Sequence, residues 1–138
     1  MQGIRIGLVG ESTTTVVDDL LATRLGSGSV DVYATPAMVA LMEEAAVAAI
    51  APLLPEGQSS VGIALDIKHL AATPPGAQVR ARAEVVGIDG RKVALKVQAW
   101  DEHELIGEGT HTRFVIDVAR FVERVRSKQG TGEKRSAS

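Results

Sequence analysis

One stretch restricts the possible folds more than any other. Ala34 to Ile50 reads ATPAMVALMEEAAVAAI, apolar almost throughout, with a hydroxyl at its start and two carboxylates in its middle. A helix that apolar has to be covered by other parts of the chain, and a carboxylate inside it then needs a physical reason to be there. Thr35 is placed to act as N-cap with Pro36 at the first helical position, and the helix should stop near Pro52. At about 100° per residue, with Leu41 set at 0°, Glu43 falls at roughly 200°, between Ile50 and Leu54. Glu44 falls at roughly 300°, among Ala37, Ala40 and Ala48, where water is easier to reach.

What covers this helix follows it in the chain. Four segments alternate with a period of two, and that is the pattern of strands with one buried face. In the first, Val61, Ile63, Leu65 and Ile67 share a parity, and His69 has the same parity, so it points inward if no bulge intervenes. The second runs from Ala77 to Val85, and Ile88-Asp89-Gly90 signals a hairpin. The third alternates Val93, Leu95, Val97 and Ala99 with Lys92, Ala94, Lys96 and Gln98. The fourth spans Leu105 to Ile116, where Gly107 and Gly109 imply a bulge or a close backbone approach. Before the long helix come a β-branched strand within residues 5–17, a short helix closed by Gly26, and the flexible Gly26-Ser-Gly-Ser29. Asp117 to Lys128 has helical spacing, 129–138 read as disordered, and the stretch from Asp117 to Ser138 as a whole is locally basic and reads as solvated. The expected fold is α+β: residues 1–128 form one domain, an antiparallel sheet wrapped around one long helix.

Composition narrows the chemistry. The chain has 138 residues and no cysteine, so thiolate metal sites and disulfides are excluded. A net charge of −2 gives no reason to expect nucleic acid. No stretch reads as an uninterrupted membrane span or a secretory leader, so a soluble cytoplasmic protein without membrane partners is expected. Nucleotide loops, metalloprotease helices and serine-hydrolase elbows have no counterpart, and no metal or bound cofactor is called for.

Three residues stand out. Glu43 on the apolar side would titrate high unless a histidine, an arginine or a hydroxyl engages it; a slight helix rotation would instead bring it to the surface. His69 is either a core imidazole satisfied by backbone or the partner of that carboxylate, poised as a base. Thr35 is sufficient as a cap, yet a hydroxyl at a helix N-terminus could also attack a substrate or position water. Arg113 lies near the two glycines with its direction unsettled. His111 and His103 carry less information. Arg80, Arg82, Lys92 and Lys96 read as the outer face of the sheet.

The motifs Ala34-Thr-Pro-Ala-Met-Val-Ala-Leu-Met-Glu43, His69-Leu-Ala-Ala-Thr-Pro-Pro-Gly76 and Gly107-Glu-Gly-Thr-His-Thr-Arg113 closely resemble the fluoroacetyl-CoA thioesterase-like branch of the hotdog superfamily. The resemblance covers about Val30 to Ile116. It implies a hotdog fold, a homodimer with sites at the subunit interface, and hydrolysis of a small acyl-CoA thioester. By residue matching it implies Thr35, Glu43 and His69 as the catalytic set, and Gly62 and Arg113 at the substrate site. One departure bears on substrate. Where the fluoroacetate-resistance member has an aromatic lid before the central helix, this chain has Gly26-Ser-Gly-Ser29, which leaves another short acyl group open. Two other functions fit the same fold, a non-catalytic acyl-CoA binding module and an enoyl-thioester hydratase. The Asp/His helix pattern of the hydratases is not evident.

Overall fold

The computed structural model describes the backbone of residues 3–137 and the side chains of residues 3–129. Five strands form one antiparallel sheet, in the order β1 (Val9–Thr15), β3 (Gln78–Asp89), β4 (Lys92–Trp100), β5 (Leu105–Asp117), β2 (Gln58–His69). The sheet curls around α2 (Thr35–Ile50), which crosses its concave face against β1, β3 and β4. This is the hotdog architecture. A 3-10 turn (Asp18–Leu20) and α1 (Ala22–Leu25) precede α2, and Gly26 ends α1 in the left-handed region, where a side chain would be strained. A second 3-10 turn, Ala51–Leu53, takes up the chain where Pro52 forbids further α-helix. The last helix is α3 (Val118–Ala137), which runs into the tail expected at 129–138; the side chains beyond Gln129 lie outside the described residues.

Alternation explains the core. Val79, Ala81, Ala83 and Val85 of β3 and Val93, Leu95, Val97 and Ala99 of β4 are buried, while Arg80, Lys92 and Lys96 stay exposed. Small alanines on both strands and on α2 let the helix approach closely. A Cβ on Gly10 of β1 would collide with the Ala45 carbonyl oxygen and the Ala49 backbone nitrogen, so only glycine fits there. Thr35–Leu53 is in fact long and apolar enough to cross a bilayer, with a mean hydropathy of 1.5, contrary to the sequence expectation. Here that apolar surface is spent on the sheet, where eight α2 residues are buried.

Two irregularities matter for the site. Gly62 pairs with Arg113 and Ala64 with Thr112, so Ile63 is an extra residue in β2, a β-bulge. The bulge breaks the single apolar face expected for this strand. Val61 goes with Phe114, whereas Leu65, Ile67 and His69 stay opposite His111, Gly109 and Gly107 on the concave side. His69 keeps its inward parity because the bulge lies before Leu65. β5 carries its own shift between the pairs Ala99–Gly107 and Trp100–Leu105, and a Cβ on Gly109 would strike the Asp66 carbonyl oxygen. Bulge and close approach, the two readings of these glycines, therefore both hold.

Candidate active site

Two clusters face the concave side, one at each end of β2. The first is at the start of α2. Ala34, not Thr35, is the N-cap residue: its carbonyl accepts the Met38 N–H at 3.0 Å, while Thr35 and Pro36 open the helix. No side chain caps this end, which corrects the expectation for Thr35. Its hydroxyl is instead 2.7 Å from Nδ1 of His69, delivered by the end of β2. The other imidazole nitrogen, Nε2, is buried and has no partner among the described residues. Burial lowers the His69 pKa, so the ring is neutral near pH 7 and one of its nitrogens is a free base. The pair borders a cavity of about 400 Å³ whose other walls include Ser27, Gly28, Ser29, Tyr33 and Leu70. Ser27 to Ser29 of the Gly/Ser stretch thus line the cavity beside the Thr35–His69 pair.

The second cluster is at Glu43. Its side chain is 38% exposed, at the rim of the buried helical face, while Glu44 is exposed and within 3.5 Å of the Ser12 hydroxyl. Glu43 meets Arg113 and not His69, so the pair considered from the sequence does not form within one protomer. Arg113 Nη1 lies 3.5 Å from Glu43 Oε2. The guanidinium is buried and held from three further directions: Nε donates to Ser60 Oγ at 2.8 Å, Nη2 to the Ser60 carbonyl at 2.9 Å, and Nη1 to His111 Nε2 at 3.1 Å. Gly62 lies against this group: an added Cβ would stand 2.8 Å from Glu43 Oε2, so the carboxylate would have to move to admit it.

Sequence reading undervalued His111, which is 1% exposed beside Arg113 and Glu43. Its parity with Arg113 in a single strand was the available signal. Tyr33 is also buried, its hydroxyl without a partner among the described residues; burial first, and then the Glu44 charge, push its pKa up to about 12, so it stays a neutral phenol. No cluster of three metal-ligating side chains occurs among the described residues. His103 sits in a turn built around Asp101, whose carboxylate accepts the backbone N–H groups of His103 and Glu104 at 2.8 and 2.9 Å.

Residues 16–119 match the family described as fluoroacetyl-CoA-specific thioesterase. The chain is 45% identical over 102 residues to the fluoroacetyl-CoA thioesterase of Streptantibioticus cattleyicolor, covering 74% of this chain and 73% of that one. Among solved structures, the fluoroacetyl-CoA thioesterase FlK aligns with a TM-score of 0.86 at 38% identity, covering 91% of this chain and 98% of its own. A variant of FlK in complex with acetyl-CoA aligns at 0.85 and 37% identity, over 91% and 98% of the two chains. A hypothetical protein of Thermus thermophilus, a thioesterase superfamily member, aligns at 0.90 and 31% identity, over 97% and 99%.

Proposed function

The chain belongs to the fluoroacetyl-CoA-specific thioesterase family, and from that premise we propose that it hydrolyses a small acyl-CoA thioester at the Thr35–His69 pair, completed by Glu43. The observation that carries the site assignment is the 2.7 Å contact between a threonine hydroxyl that caps nothing and a neutral, half-buried imidazole. A hydroxyl spared from capping and set against a base is a nucleophile in waiting. In the proposed reaction Thr35 Oγ attacks the thioester carbonyl and its proton passes to His69 Nδ1. The oxyanion lies over the first turn of α2, where helix N–H groups lack intrahelical acceptors. Collapse breaks the C–S bond, His69 returns the proton to the leaving thiolate, and water then hydrolyses the acyl-threonine. Direct attack by water on the thioester uses the same base; mass spectrometry of a rapidly quenched reaction separates the two, because only the first adds an acyl group to Thr35.

Glu43 enters from a second copy. β2 is an edge strand with Ile63 50% and Leu65 47% exposed, an edge open to pairing. Two β2 edges paired antiparallel about a two-fold axis between Gly62 and His69 would bring Glu43 of one protomer toward His69 of the other. That would give the buried Nε2–H an acceptor and explain why the chain holds the two at opposite ends of one strand. The cavity wall of Ser27, Gly28 and Ser29 is small and polar, which favours a short acyl group with no demand for fluorine.

The test is thiol release from acetyl-, fluoroacetyl-, propionyl- and butyryl-CoA by wild type, Glu43→Gln and His69→Ala. Wild type should turn over at least one of them, with both variants at least a hundredfold slower. Equal rates in all three proteins would overturn the site assignment. Ligand-dependent thermal stabilisation without thiol release would make the protein an acyl-CoA binding module instead.

A further inference from the structure

We propose that His111 is a positioning residue: a neutral imidazole, locked in one tautomer, that ties the β2 bulge to Arg113 and thereby fixes the Glu43 carboxylate. This deepens the thioesterase reading and rests on it. Donor chemistry assigns the tautomer. Arg113 is a donor with no acceptor capacity, so the His111 Nε2 lying 3.1 Å from its Nη1 must present a lone pair. The Ala64 carbonyl is an acceptor, so Nδ1, 2.9 Å away, must carry the hydrogen. A ring with one proton on Nδ1 and none on Nε2 is neutral. The 3.9 Å approach of Glu43 Oε2 to Nε2 is therefore no ion pair, because no proton lies between them.

The two bonds join structural features that otherwise have no common support. Ala64 is the residue immediately after the extra Ile63, so the Nδ1–H bond holds the bulge at its exit. The bulge places Gly62 and Ser60 under Arg113, and Ser60 supplies two further acceptors to the guanidinium. His111 supplies the acceptor for the Nη1 group that also reaches Glu43. Without that acceptor, a buried Nη1–H is left unpaired and the planar guanidinium is held only along its Nε–Nη2 edge by Ser60, so it can tilt and weaken the contact with Glu43, whose one charged partner among the described residues is Arg113. Protonation would have the same effect, because it replaces the lone pair with a cation facing a cation. Arg113 and Glu43 are the charged groups facing the ring; from β4 the opposing residue is Leu95, and from β2 it is Leu65. Burial, the largest influence on the ring, favours the neutral form as well.

Two substitutions separate positioning from mere packing. His111→Gln can still offer an oxygen to Arg113, whereas His111→Leu fills the space and offers nothing. At matched thermal stability, kcat on acetyl-CoA should fall roughly tenfold to a hundredfold in His111→Leu, the loss typical of a misplaced catalytic group, with KM nearly unchanged. His111→Gln should stay within about threefold of wild type. The acid limb of the wild-type profile should steepen toward two protonations, those of His69 and His111, and His111→Gln should reduce it to one. Imidazole 15N shifts in the wild-type protein should show His111 protonated on Nδ1 alone at pH 7, a readout independent of turnover. The proposal is overturned by an Nε2–H tautomer, by a cationic ring at pH 7, or by equal kcat in the Leu and Gln variants. An inactive wild type would instead refute the thioesterase reading and leave the tautomer result standing on its own.

Discussion

Gly62→Ala separates a site role from a stability role more sharply than any loss of a charged group. The added Cβ would lie 2.8 Å from Glu43 Oε2, 3.0 Å from His111 Cε1 and 3.4 Å from Arg113 Nη1. Ordinary contact begins near 3.4 Å, so the carboxylate must retreat by roughly 0.5 Å. The Glu43–Arg113 contact is already 3.5 Å, at the outer limit of a hydrogen bond, and the retreat breaks it. A hydrogen bond between charged groups contributes about 1.5–3 kcal/mol, and partial exposure of Glu43 reduces this to about 1–2 kcal/mol. If Glu43 acts in the reaction from that position, kcat/KM falls about 5- to 30-fold. Stability should scarcely change. Glu43 is a flexible side chain with water to move into, Arg113 keeps Ser60 and His111, and Gly62 is not among the glycines of positive φ. The entropy of the unfolded chain even favours alanine by about 0.4–1 kcal/mol. Tm should therefore stay within about 3 °C of wild type. Thiol release from acetyl-CoA and calorimetry measure the two quantities, and in a Glu43→Gln background the same substitution should cost little more. Wild-type kcat/KM in Gly62→Ala, or an activity loss fully accounted for by a large drop in Tm, would refute the reasoning.

Three other outcomes are expected. Thr35→Val should leave Tm within about 2 °C, because no cap is lost, yet slow turnover by more than about a hundredfold; Thr35→Ser should retain part of it, and full turnover in the valine variant would remove Thr35 from the mechanism. Burial lowers the pKa of both His69 and His111, so below about pH 6.5 the unfolded chain binds more protons than the folded one. Tm should accordingly be flat above pH 6.5 and fall on acidification toward pH 5, and a rise on acidification would contradict the burial argument. Ile63→Lys with Leu65→Lys should convert a dimer to a monomer by light scattering and abolish turnover, since the proposed site then loses the second protomer's Glu43; an active monomer would exclude a shared site.

Much of the fold was legible in the sequence because periodicity is a local property. The apolar run of α2, its stop at Pro52, and the alternation of β3 and β4 each follow from residues a few positions apart, and burial merely realised them. His69 was read as inward for the same reason, since no irregularity lies between Leu65 and it. The wheel angle put Glu43 on the apolar side, with a slight rotation to the surface as the alternative, and its 38% exposed side chain lies between the two. What tertiary structure alone decided is which of these groups meet. Thr35 had all the marks of a cap, and only the arrival of β2 shows its hydroxyl bonded to an imidazole 34 positions away. A single extra residue at Ile63 then decided the rest. Inserting one residue exchanges the two faces of a strand, and no local pattern announces it when the neighbours are glycine and alanine. That exchange put Gly62 beneath Glu43 and gathered Arg113, His111 and Ser60, residues up to 70 positions apart, around one carboxylate.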